Sequence, residues 1–134
     1  MKSSLTVIFL FLAGLLLLTI GSAILFIPHV AYSSDGILLG SDPSLLSEIR
    51  ASGGLLTGGA LIILIGTFRP TLQSLAVTLS ILIYGSFGLS RLLGVAIDGM
   101  PSNSLLLATV TELIVASIGL VILCRQPYPG STTH

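Results

Sequence analysis

Between Leu5 and Ile27 no residue carries a charge. About 20 apolar residues suffice to cross a bilayer as a helix, so this run constrains the fold more than any other feature. The rest of the chain is of the same kind. Of its 134 residues, 53% are hydrophobic and 7% charged, with a mean hydropathy of +1.10; soluble domains carry about 25% charged residues. A chain this poor in charge cannot cover a water-facing surface. The sequence specifies an integral membrane protein, and its length suits one compact domain.

A secretory signal competes for the first run, because Lys2 makes a small basic start and Gly21-Ser22-Ala23 resembles a cleavage site. The apolar run continues through residues 24–27 and is longer than a typical signal core. It is therefore read as a retained span, residues 5–27, ended by Pro28. Residues 28–42 are polar and turn-rich. Asp42 is a good N-cap and Pro43 suits the first helical position, so a second helix is expected over 43–68. Arg69-Pro70 turns the chain, a third helix is expected over 71–97, and residues 98–104 form a loop. A fourth helix is expected over 105–124, followed by the polar tail 125–134. The predicted architecture is an all-α, four-span antiparallel transmembrane helix bundle, and the short turn makes helices two and three neighbours.

Basic residues in short loops set orientation. Lys2, Arg69 and Arg125 fall on one face, while Asp35, Asp42 and Asp98 fall on the other. This segregation places both termini in the cytoplasm and loops 28–42 and 98–104 outside it.

Two charges lie deep within spans. Arg91 falls roughly 9 Å below the outer end of its helix and Glu112 roughly 10 Å below the same end of the next, at about 1.5 Å per residue. A guanidinium in hydrocarbon costs roughly 2.5–3.5 kcal/mol on insertion scales, and a facing carboxylate makes both tolerable. Glu112 is therefore expected to pair with Arg91. Asp98 lies seven residues above Arg91 and Tyr84 seven below, on the same face. Helix two brings Glu48 and Arg50 to this outer layer, with Arg50 expected to lean toward Asp98 or Glu112. Gly54 and Gly58 share the face of Arg50, and Ser90 and Gly94 form a small ridge on helix three. Such spacings permit close helix packing, and are assigned here to internal seams in preference to a homo-oligomer contact.

Other chemistries lack a pattern. Zero net charge leaves no basic face for nucleic acid. The single cysteine, Cys124, excludes an internal disulfide and is read as a buried small side chain. His29 with Asp35 and Asp42 has no recognised metal spacing, and GGLLTGG, residues 53–59, lacks the lysine and strand of a phosphate loop. Neither metal nor cofactor is expected.

Four elements recur in order: E-x-R-A-x-G-G from Glu48 to Gly54, G-x-x-R from Gly88 to Arg91, D-G-x-P from Asp98 to Pro101, and Glu112-Leu113. The set resembles a bacterial family of small four-helix integral membrane proteins catalogued as a domain of unknown function, and more loosely the DoxX-like proteins. The resemblance implies a four-span bundle in the bacterial inner membrane whose charged motif residues fall at Glu48, Arg50, Arg91, Asp98 and Glu112. It implies no activity. The expected role is non-enzymatic, with an outward-facing intramembrane cluster that is structural or binds a lipid-like ligand or a membrane-protein partner. The alternative is a small proton-coupled transporter using Glu112. An enzyme is disfavoured because no His, Cys or paired carboxylates converge at this depth.

Overall fold

A computed structural model describes residues 4–125; Lys2, His134 and the tail beyond Arg125 lie outside the described residues. The elements are α1 (Ser4–Phe26), α2 (Pro28–Ser33), α3 (Pro43–Phe68), a 3-10 turn (Pro70–Leu72), α4 (Gln73–Asp98) and α5 (Asn103–Arg125). Four of the helices are long and apolar enough to cross a membrane, where a helix satisfies its own backbone. Hydroxyls follow the same rule: those of Thr19, Thr57, Ser80, Thr109 and Ser117 each donate to the carbonyl four residues earlier. Large apolar side chains such as Leu12, Phe68 and Leu93 face outward. In water they would form a patch of the kind soluble proteins avoid; in a bilayer they meet their own kind.

The ends of the helices follow from particular residues. The Asp42 carboxylate accepts the Leu45 N–H at 2.9 Å, and Pro43 occupies the first helical position, where a missing N–H costs nothing. Gly99 closes α4 in a left-handed conformation, φ 100°, that side-chain-bearing residues rarely adopt. Residues 28–42 depart from the loop expected there. Pro28 ends α1 but also starts α2, because its fixed φ suits the first turn of a helix.

The bundle consists of two close-packed antiparallel pairs. In the first, α1 lies against α3, with Gly14 facing Leu64 and Ile63, Gly21 facing Leu56 and Thr57, and Gly53 facing Leu25. In the second, α4 lies against α5, with Gly88 facing Leu113 and Gly119 facing Ile81. The pairs join where α3 meets α4, through Gly59 against Ile83 and Gly66 against Ala76. Thus α3 and α4 are neighbours, yet each packs more extensively with a different helix. One end of the bundle carries Arg69 and Arg125, hereafter the basic end. The other carries Asp35, Asp42, Glu48 and Asp98, the acidic end.

The packing glycines are not the ones expected. Around Gly54 and Gly58 there is open space where a Cβ would stand, Gly94 meets only the Asp98 carboxylate at 3.9 Å, and Ser90 is exposed. The face of α3 against α1 is Ile49–Gly53–Leu56–Ala60–Ile63, turned by one residue, about 100°, from the Arg50–Gly54 row. It wins because it unites the bulky Ile49, Leu56 and Ile63 with the glycine that admits the α1 backbone. On α4 the face against α5 runs through Gly85 and Gly88, off the Ser90–Gly94 row.

A Cβ on Gly53 would stand 2.6 Å from the Leu25 backbone nitrogen, so Gly53→Ala should cost about 1–3 kcal/mol through overpacking. Gly54→Ala should be neutral or stabilise by about 0.5–1 kcal/mol, since alanine restricts the unfolded helix. Thermal unfolding of the two variants in one detergent separates them.

Candidate functional site

Leu113 seats on Gly88, which draws α4 and α5 together toward the acidic end. Arg91 and Glu112 flank that contact, and the guanidinium Nε donates to Glu112 Oε2 at 3.1 Å and to Oε1 at 3.3 Å. The ions are unequally sheltered: the Arg91 side chain is 31% exposed, that of Glu112 13%. The bond uses only Nε. Both Nη groups of Arg91 have no partner among the described residues, so four of the five N–H donors of the guanidinium remain available.

Tyr84 is buried two turns below Arg91, and its hydroxyl donates to the Ala13 carbonyl at 2.6 Å. The bond ties α4 to α1 and so joins the two helix pairs. Tyr84 thus acts as a cross-link beneath the ion pair.

Arg50 does not join them. Its guanidinium donates through Nη1 to the Leu25 carbonyl in the last turn of α1, not to Asp98 or Glu112 as expected. The reason is the rotation of α3 described above, which sets Arg50 beside α1. The last carbonyls of a helix lack internal donors, Pro28 offers no N–H to them, and a cation is favoured there by the helix dipole. Arg50 caps α1. Pro28 was the available sign of an uncapped helix end; no local signal named Arg50 as the cap. Cys124, expected buried, is exposed, because Gly119 and Ile122 hold the inward face of α5.

Glu48 and Asp98 are exposed and unpaired among the described residues. Their placement follows from the register of α3 and α4. Gly59 faces Ile83; four and eleven residues before Gly59 on the same face stand Leu55 and Glu48, and four and eleven beyond Ile83 stand Phe87 and Gly94. Leu55 is nevertheless 76% exposed and Phe87 38%, and no α3 atom lies within 4 Å of a Cβ on Gly94. No residue of α4 beyond Gly88 is buried. Toward the acidic end, therefore, Leu55 and Phe87, which continue the shared face of α3 and α4, stay exposed, and Arg91, Glu48 and Asp98 stand at this end of the molecule. Among the described residues no three His, Cys, Asp or Glu side chains are placed to hold a metal ion.

Removing one partner of the Arg91–Glu112 pair strands the other charge, whereas removing both does not. Arg91→Leu and Glu112→Leu should each destabilise the protein, and the double variant should recover about 0.5–3 kcal/mol of the summed loss in denaturant unfolding. Arg50→Leu should cost about 1 kcal/mol through the uncapped α1 end, additively with changes at Arg91.

No curated protein and no solved structure matched the chain. A family model described as a domain of unknown function, DUF4345, matches residues 5–123, and the chain, with its four membrane-length helices, belongs to that family.

Proposed function

We propose that this is a non-enzymatic membrane protein whose acidic end receives the polar head of an amphiphilic, lipid-like molecule beside Arg91, with the apolar part lying along the exposed Leu55 and Phe87. The observation that carries this reading is the incomplete use of Arg91. Glu112 engages the guanidinium through Nε alone, and neither Nη group has a partner among the described residues. Intramembrane ionisable groups are functional by default, and sites of this kind combine an apolar lining with a few placed polar groups.

The acidic end faces away from the cytoplasm in this reading. Arg69 and Arg125 mark the cytoplasmic end, and both termini lie on that side of the bacterial inner membrane.

Native mass spectrometry of the gently extracted protein should show a retained small amphiphile, lost from the Arg91→Leu, Glu112→Leu double variant while that variant stays folded. Loss of nothing on that substitution would leave the pair a purely structural clasp. Proton flux in reconstituted vesicles that depends on Glu112 would replace the binding role with transport. Reporter fusions at Asp35 and after Arg125 should report opposite compartments.

A further inference from the structure

We infer that the connection between α1 and α3 makes a further contact with the bilayer: the turn that follows α2 inserts Leu38 among the acyl chains of the leaflet at the acidic end. The inference is independent of the reading of Arg91.

The turn has a defined backbone. Gly36 takes a left-handed conformation, φ 80°. Its N–H donates to the Ser33 carbonyl at 3.0 Å, and the Ile37 N–H reaches back to the Tyr32 carbonyl at 3.0 Å. These two bonds are the Schellman closure of a short helix. Nothing crowds Gly36, so the backbone angle alone selects glycine there. Such a closure commonly places an apolar residue at the position of Ile37, which accounts for Ile37. It does not account for Leu38. Next in the chain, Leu38 is 92% exposed, more than any other large apolar side chain among the described residues.

A turn bathed in water would favour polar residues, yet this one runs Gly36-Ile37-Leu38-Leu39. Three consecutive apolar residues, of which Ile37 and Leu38 are exposed, mark a contact surface. The acyl chains are its occupant for three reasons. The outward face of α1 that meets lipid runs through Leu12 and Ile20 to Phe26, 69% exposed, and continues into α2 at Val30, 62% exposed. The lipid-facing surface therefore does not stop where α1 stops, and both ends of the connection are held by membrane-length helices. A leucine tip also falls far short of the roughly 1,000 Å² that a specific protein contact buries, whereas insertion into lipid needs no complementary surface. Finally, residues 28–42 contain no lysine or arginine, and Asp35 and Asp42 are their acidic residues. The attraction is apolar and not the docking of a basic segment on anionic head groups. Tyr32, half-buried in the last turn of α2, is the kind of amphipathic ring enriched at the membrane–water boundary.

The chain contains no tryptophan, so Leu38→Trp gives the full-length protein a single indole fluorophore at the tip, where high exposure leaves the fold undisturbed. The variant is reconstituted in phosphatidylcholine vesicles with and without bromine on the acyl chains. Ser41→Trp, in the polar part of the same connection, is the comparison. Position 38 should lose most of its emission to brominated chains and little to aqueous acrylamide, and position 41 should show the reverse. Added to Leu38→Trp, Gly36→Ala should reduce the bromine quenching, because the strained closure no longer holds the tip in place. Quenching of position 38 by acrylamide and not by bromine would put the turn in water and overturn the inference. Quenching by neither would mean that protein, a second copy included, covers the tip, and would overturn it as well. Equal bromine quenching at both positions would assign insertion to the indole and not to the turn, with the same consequence.

Discussion

The close approach of α1 and α3 at Gly21 and Gly53 governs where nearly every polar side chain of this bundle can point. With no Cβ on either residue, the backbones come near enough that α3 has one rotation about its axis that fits. That rotation buries Ile49, Leu56 and Ile63 against α1. It sets Arg50 beside the last turn of α1 and Glu48 on the side of α4, and it turns Gly54 and Gly58 away from any neighbour. Helix association in a bilayer draws on van der Waals contact and hydrogen bonds and not on expulsion of water. A seam of this tightness therefore outranks the preferences of the flanking charged residues, which accept the direction it leaves them.

The second pair obeys a different priority. Here Gly88 admits Leu113 and Gly119 admits Ile81, but the α4–α5 contact also carries the two charges that face each other within the bilayer region. Packing and electrostatics agree at this seam, because the seating of Leu113 brings Glu112 within 3.1 Å of the Arg91 Nε. What the pair leaves over, the Nη fork without a partner among the described residues, is what makes this end of the molecule chemically distinct. The basic end, by contrast, is filled: Val77, Ser80 and Ile63 are fully enclosed there.

The class of fold, the number of spans and the start of α3 at Pro43 were legible because each depends on local sequence: runs without charge, a capping aspartate, a proline in the first turn. The Arg91–Glu112 contact was legible because depth alone matched two expensive residues. The rotation of each helix was not. Small residues occur on several faces of α3, and spacing cannot say whether Gly53 or Gly54 meets another backbone; only the shape of α1 decides. The destination of Arg50 followed from that same rotation and was lost with it. Nor could spacing show that Leu55 and Phe87 stay exposed, since both are apolar residues placed where a closed seam between α3 and α4 would need them.

The links between the two helix pairs, namely Gly66 with Ala76, Gly59 with Ile83, Tyr84 with Ala13 and Gly119 with Phe9, all lie in the half nearer the basic end. Toward the acidic end each pair is held by its own seam, Gly53 against Leu25 in one and Gly88 against Leu113 with the Arg91–Glu112 ion pair in the other, so a substitution at either seam is felt within one pair before it reaches its neighbour.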